Sequence, residues 1–238
     1  IKGGNTNVNY WLNQINEKIQ YAIDNDIEAT EDIKKEWNML VKGVKPEAKN
    51  RSAVDALLTT KWNQNEPFNG MCPGGSMTGC GATAMAMVMK YWNWPAQGVG
   101  ANSYYENDYG NISVNFSATT YDWENMPYQI DKNSPQEQID AVALLGYHCG
   151  VSVEMMYDDD GTGSGAYSVD VPYALNKYFD YAPSNFRART VSSQVWDSYI
   201  MEALEMRRPI FYAGTSNTGG GHAFVCDGFD ENGLFHFN

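Results

Sequence analysis

"SMTGCGATAMAMVMKYWNWP", Ser76 to Pro95, sets one cysteine, Cys80, at the head of a long apolar run. Small residues follow it: Gly81, Ala82, Ala84 and Ala86. The pattern predicts a helix from about Cys80, ended by Asn93 and Pro95. Apolar groups cover nearly every face of that helix, which marks it as central and buried. Cys80 falls in its first turn, where unpaired N–H groups and the helix dipole favour an anion. The thiolate is the reactive form of cysteine. Core packing also puts a lone cysteine on an apolar helix. From this stretch alone, nucleophile and core thiol both stay open.

The chain has 238 residues, enough for one large domain or one domain with an extension. The net charge of −13 argues against a nucleic-acid partner, since phosphates would be repelled. No apolar run reaches about 18 residues free of charge, so no membrane span is expected. The cysteines, Cys72, Cys80, Cys149 and Cys226, stand far apart and contain no C-x-x-C pair. A zinc site is therefore not expected, and no motif calls for a metal or cofactor. If Cys80 stays free, an odd number remains and not all can pair. The sequence begins at Ile1 with neither initiator Met nor leader, and we expect a trimmed fragment.

Residues 1–48 read differently from the rest. Leu12, Ile15, Ile19 and Ile23 recur at helical spacing, and "EDIKKEWNMLV" (31–41) predicts a second helix. "KGVKPEAKNRS" (42–52) is a polar, basic linker open to proteolysis. Residues 96–133 carry no clear period and predict loops and short strands. Ser134-Pro135-Gln136-Glu137 has the pattern of a capping box, with Pro at the first helical position. It predicts a helix with Ile139, Val142 and Ala143 on one face. "VSVEMMY" (151–157) reads as strand or extended chain, "DDDGTGSGA" as a flexible loop, and "VDVPYALNKYF" as a short helix. "SSQVWDSYIMEALEMRR" (192–208) is amphipathic, with Trp196, Ile200, Ala203 and Leu204 on one side and Pro209 as its stop. "PIFYAG", "HAFVCDGF" and "LFHFN" alternate at period two and predict antiparallel strands. A Cys helix in the first half facing strands in the second gives an α+β architecture.

A cysteine nucleophile needs a base. The sequence has three histidines. His148 lies near a helix end, where it caps or packs. His236 alternates within a strand between Phe235 and Phe237. His222 follows a run of three glycines that leaves its ring open, and it is the best placed of the three.

"TGCGATAMAMVMKYWNWP" joined to "GGHAFVCDGFDENGLFHFN" resembles the streptopain family of papain-like cysteine peptidases. The family pattern is T-G-C-x-A-T-A around the nucleophile and G-G-H-A-F-V-x-D-G around the histidine. "KWNQNEPFN" (61–69) resembles the extended segment upstream of the family cysteine. The resemblance implies a papain-like fold, with a Cys-bearing helix facing an antiparallel sheet that carries the His. It implies Cys80 as nucleophile, His222 as general base and then acid, and Gln64 as an oxyanion-hole donor beside the Cys80 N–H. Asn238 matches the asparagine that orients the imidazole. The family continues from there into a W-G-W-G-G stretch and further strands that this sequence does not include.

The resemblance assigns residues 1–50 to the end of a pro-segment with its activation linker, and 51–238 to the peptidase domain. Cleavage is expected within 43–52, near Lys49 or Asn50. The implied activity is endopeptidase hydrolysis of protein and peptide substrates. The implied partner is the chain's own pro-segment, as an intramolecular inhibitor. A bacterial location, secreted, periplasmic or at the cell surface, is implied with them. Two alternatives remain: a silent papain-like binding or inhibitory module, and a thiol amidase or acyltransferase on non-protein amides.

Overall fold

The computed structural model describes residues 19–20, 23–24, 28–29, 31–43, 52–158, 163–184, 186–216 and 220–238. The chain divides into two compact units, Ile1–Arg51 and Ser52–Asn238. In the first, helix α1 (Glu31–Val41) forms over the stretch expected to be helical. Most of the helix expected around residues 12–23, and most of the 43–52 linker, lie outside the described residues.

The second unit is built on helix α2 (Cys80–Trp92), in which every residue from Ala82 to Lys90 is buried. Asn93 ends it in the left-handed conformation (φ 47°), its N–H reaching back to the Lys90 and Met89 carbonyls. The ammonium of buried Lys90 donates to Asn93 Oδ1 at 3.0 Å and to the Trp123 carbonyl at 2.8 Å. Those bonds compensate a charge that would be costly to bury bare. Helix α3 (Gln136–Ser152) packs against α2, sharing a core that includes Met85, Met89, Leu145 and Cys149.

Between α2 and α3 lies a hairpin, β1 (Ala101–Glu106) with β2 (Gly110–Asn115), paired Ala101 to Asn115 and Glu106 to Gly110. Burial alternates on both strands, with Asn102, Tyr104 and Glu106 inward on β1 and Ile112 and Val114 inward on β2. Helix α4 (Val171–Phe179) follows, and Phe116 stacks among His148, Tyr178 and Phe179. Helix α5 (Ser193–Glu205) precedes a three-stranded antiparallel sheet ordered β3 (Ile210–Thr215), β4 (Gly221–Phe229), β5 (Phe235–Phe237). Ala223 and Val225 of β4 belong to the α2 core. Cys226 and Phe229 form a second core with Val54 and with Ile200 and Leu204 of α5. One sheet therefore has a packed helix on each side, as the α+β reading expects.

Three local expectations are corrected. Ser134 makes no capping box: Pro135 is the N-cap of α3, and the Ser134 hydroxyl instead accepts the Asp131 N–H at 3.0 Å, closing the preceding turn. Helix α3 also runs through Val151 and Ser152, which the period-two reading gave to a strand. Their side chains enter the helical core, so "VSVEMMY" is extended only from its middle onward. Helix α5 stops before Pro209. Arg207 turns left-handed (φ 58°), and the Arg207 and Arg208 N–H groups close on Leu204 and Ala203.

Candidate active site

Cys80 is the first residue of α2, half-buried against the main core. Gly79 precedes it as N-cap at φ 90°, ψ 137°, a conformation that side chains resist. A Cβ on Gly79 would stand 2.6 Å from Met155 Cε and 3.3 Å from the Ser164 carbonyl oxygen. The chain therefore turns sharply into the helix under a lid made by residues 155 and 164. Met156 and Gly165 exchange two backbone hydrogen bonds (2.8 and 3.0 Å), which hold these two segments together beside Gly79; residues 159–162, in the stretch expected as a flexible loop, lie outside the described residues.

The first N–H to close a helical bond is that of Thr83, onto the Gly79 carbonyl at 3.0 Å. The Cys80, Gly81 and Ala82 N–H groups have no turn before them to bond to. A Cβ built on Gly81 would meet nothing within 4 Å, so the helix mouth beside the sulfur faces open space. A half-buried cysteine and first-turn N–H groups with no acceptor among the described residues meet at this helix N-terminus, an arrangement suited to an anion or a developing oxyanion.

The other three cysteines differ in kind. All four are free, and Cys72, Cys149 and Cys226 are buried. Burial pushes the Cys72 thiol up to about 11, Cys226 to about 12 and Cys149 further up, so none is a ready thiolate. Cys149 meets the Met89 sulfur at 3.6 Å and fills core. Among the described residues no group of three or more His, Cys, Asp or Glu side chains could hold a metal ion.

His222 opens β4 opposite Gly214, with its side chain exposed and its ring 5.9 Å from that of Phe224. Helix α2 packs against β4 through Ala223, the next residue, in the cluster that Cys80 also touches. No hydrogen bond among the described residues joins the Cys80 sulfur to the His222 ring. His148 is buried, bonded to the Tyr121 hydroxyl through Nδ1 at 2.9 Å, and held down to about 4 by desolvation. It packs, as expected.

Gln64 is half-buried, and its carbonyl accepts the Thr78 N–H at 2.9 Å, two residues before Cys80. The Gln64 backbone and the turn before Cys80 are thus tied directly. Asn238 exchanges both backbone bonds with Val225 (2.8 and 2.9 Å), and its amide nitrogen donates to the Thr60 carbonyl at 3.0 Å. No hydrogen bond among the described residues joins Asn238 to His222. The side chain that the sequence assigned to the imidazole here grips the strap leading to Gln64.

Sequence reasoning missed Met155, Ser164 and Asp227. The first two are recognisable only once Gly79 is known to lack space above it. Asp227 carried one signal, a lone carboxylate in an otherwise apolar strand.

Residues 62–238 match the model of the peptidase C10 family. The chain is 35% identical over 196 residues to the thiol protease/hemagglutinin PrtT of Porphyromonas gingivalis, covering 78% of this chain and 22% of that protein. It is 31% identical over 211 residues to streptopain of Streptococcus pyogenes, covering 78% of this chain and 52% of streptopain. It thus spans about half of streptopain and less of PrtT. The structure of active Prevotella intermedia interpain A cysteine protease superposes with a TM-score of 0.75 at 35% identity, over 82% of this chain and 85% of that one. A prointerpain A fragment superposes over all of this chain and 74% of its own, with a TM-score of 0.74 at 31% identity.

Proposed function

This chain belongs to the peptidase C10 family and has the papain-like fold, and from that premise we propose that it is a cysteine endopeptidase made as a zymogen. The observation that carries the reading is the place of Cys80: a half-buried cysteine that opens a buried central helix, with first-turn N–H groups that have no acceptor among the described residues and open space at Gly81.

In the proposed reaction the Cys80 thiolate, paired with the His222 imidazolium, attacks a peptide carbonyl. The carbon–sulfur bond forms as the carbonyl π-bond opens onto oxygen. The oxyanion rests against the Cys80 N–H and the Gln64 side-chain amide, donors that act on charge developing in the transition state. His222 gives its proton to the leaving amine, the C–N bond breaks, and a thioester remains. His222 then takes a proton from water as its oxygen adds to the thioester carbon; the C–S bond breaks, the carboxylic acid product leaves, and the Cys80 thiolate and His222 imidazolium are restored. The orienting role of Asn238 rests on the family resemblance alone; its amide nitrogen is engaged with Thr60, and its amide oxygen is the atom that would have to reach the imidazole. The preference for proteins over small amides rests on the relatives, which are named as proteases.

Residues 1–50 act in this reading as a pro-segment that inhibits the domain until cleavage within 43–52. The superposition of a prointerpain fragment over the whole chain supports it. Secretion or a cell-surface location goes with the zymogen reading. No described helix is long and apolar enough to cross a membrane.

Hydrolysis of denatured casein, followed against small amide substrates, tests the activity. The expected result is casein cleavage that is lost in Cys80→Ala and His222→Ala while both variants keep the parent circular dichroism. Casein cleavage retained in Cys80→Ala would overturn the assignment. Turnover of small amides alone would favour the amidase reading.

A further inference from the structure

None of the steps above uses Asp227, a carboxylate with no solvent exposure at all. A buried ionised carboxyl is costly unless both oxygens are occupied. Here Oδ2 accepts the Leu58 N–H at 2.8 Å, and Oδ1 accepts from His236 Nδ1 at 2.6 Å. The His236 side chain is about half exposed, so water reaches this partner of the buried carboxyl.

Asp227 is one of three successive residues of β4 that seat the same strap of chain. Phe229 exchanges both backbone bonds with Val54 at 2.9 Å. Gly228 lies flat beneath the strap, where a Cβ would stand 2.7 Å from the Val54 oxygen and 3.1 Å from the Ala56 nitrogen. Asp227 takes the Leu57 N–H on its own carbonyl at 2.9 Å and the Leu58 N–H on its carboxylate. The strap from Leu57 to Asn63 belongs to no helix or strand; these bonds seat its start on the sheet, while its far end is held by the Lys61 N–H on the Tyr128 carbonyl at 2.7 Å and Trp62 Nε1 on the Pro127 carbonyl at 3.0 Å. Asn238 grips it again at the Thr60 carbonyl. Four residues on, Gln64 bonds the turn that ends in Cys80.

We propose that Asp227 is a positioning residue for the reaction. By anchoring Leu58 to β4, it sets where the Gln64 amide stands relative to the Cys80 sulfur. The proposal rests on the reading of Gln64 as an oxyanion donor. An oxyanion donor is useful only at its bonding distance, and a displacement of about 1 Å is enough to cost rate.

The test is a double-mutant cycle in the full chain, read as kcat and KM on a peptide substrate and as the rate of Cys80 alkylation by iodoacetamide. Asp227→Asn keeps the size of the side chain and removes the charge; Gln64→Ala removes the donor. Gln64→Ala should lower kcat about 100-fold, the usual effect of losing one such donor. Asp227→Asn should lower kcat about tenfold or more, with KM and the alkylation rate within about threefold of the parent. Adding Asp227→Asn to Gln64→Ala should cost nothing further, because there is no amide left to position. Full kcat in Asp227→Asn, or losses that multiply in the double variant, overturns the proposal. A harmless Gln64→Ala removes the donor reading of Gln64 and the positioning role with it. A damaging Gln64→Ala with multiplying losses removes the positioning role alone. Should Asp227→Asn not fold, His236→Gln at the half-exposed partner takes its place in the cycle, with an expected loss of about threefold and the same non-additivity.

Discussion

Replacing Gly79 by Ala perturbs the entry to the Cys80 helix at its tightest point. Two costs can be worked from the structure. The residue sits at φ 90°, where a side chain brings backbone strain of roughly 1–2 kcal/mol. The new Cβ would lie 2.6 Å from Met155 Cε and 2.7 Å from its sulfur, inside van der Waals contact. Met155 is fully buried but flexible, so the overpacking is worth about 1–2 kcal/mol more. The sum, about 2–4 kcal/mol, is a large part of a domain's stability. At ~2–4 °C per kcal/mol for a domain of this size, Tm should fall by roughly 4–16 °C. Thermal unfolding followed by circular dichroism reads the stability, and casein hydrolysis well below Tm reads the site. We expect hydrolysis to fall as well, because the clash lies one residue from Cys80, the proposed nucleophile. Met155→Ala in the same chain should remove the overpacking part alone, so the double variant loses less than the two single losses summed. A Gly79→Ala protein melting within about 1 °C of the parent with full activity would refute this account of the turn.

Three further outcomes are expected. His148 is held down to about 4 while its unfolded value is 6.5, so the unfolded chain takes up its proton first; stability should fall as pH drops from about 6.5 towards 4, by a few kcal/mol at most, and His148→Gln should flatten that limb in urea titrations. Cys72 and Cys226 are raised to about 11 and about 12, so their thiols ionise first in the unfolded chain; stability should fall as pH rises from about 9, and a native protein whose melting point holds to pH 11 would contradict the burial argument. Incubated active protein should yield a new N-terminus within residues 43–52, and N-terminal sequencing that finds the first residue far outside this window would count against the activation linker.

What the sequence made legible follows from how local its signals are. The Cys80 helix was readable because its apolar cover, its small residues and its Asn93 stop all lie within one stretch. The three terminal strands were readable as short apolar, aromatic-rich runs between Gly and Asn turns, but the period-two alternation did not hold in burial: β4, covered on both faces, is buried almost continuously from Ala223 to Phe229. The β1–β2 hairpin was not, since the inward residues of β1, Asn102, Tyr104 and Glu106, are polar or amphipathic and only Ile112 and Val114 of β2 are buried aliphatics. Ser134 misled because its hydroxyl fits a cap and a turn equally well, and the turn took it. At the site, residue types pointed to Cys80 and His222, and the family pattern added Gln64 and Asn238. The Asp227 seat depends on a side chain bonding a backbone 169 positions away, which no local pattern carries.

The central claim is that His222 activates the Cys80 sulfur. Alkylation by iodoacetamide at neutral pH, mapped by mass spectrometry in the parent and in His222→Ala, tests it most directly. The account predicts modification at Cys80, none at the buried Cys72, Cys149 and Cys226, and a rate at Cys80 lowered about tenfold or more without the imidazole. Equal Cys80 rates in the two proteins, or modification spread over all four cysteines, would contradict it.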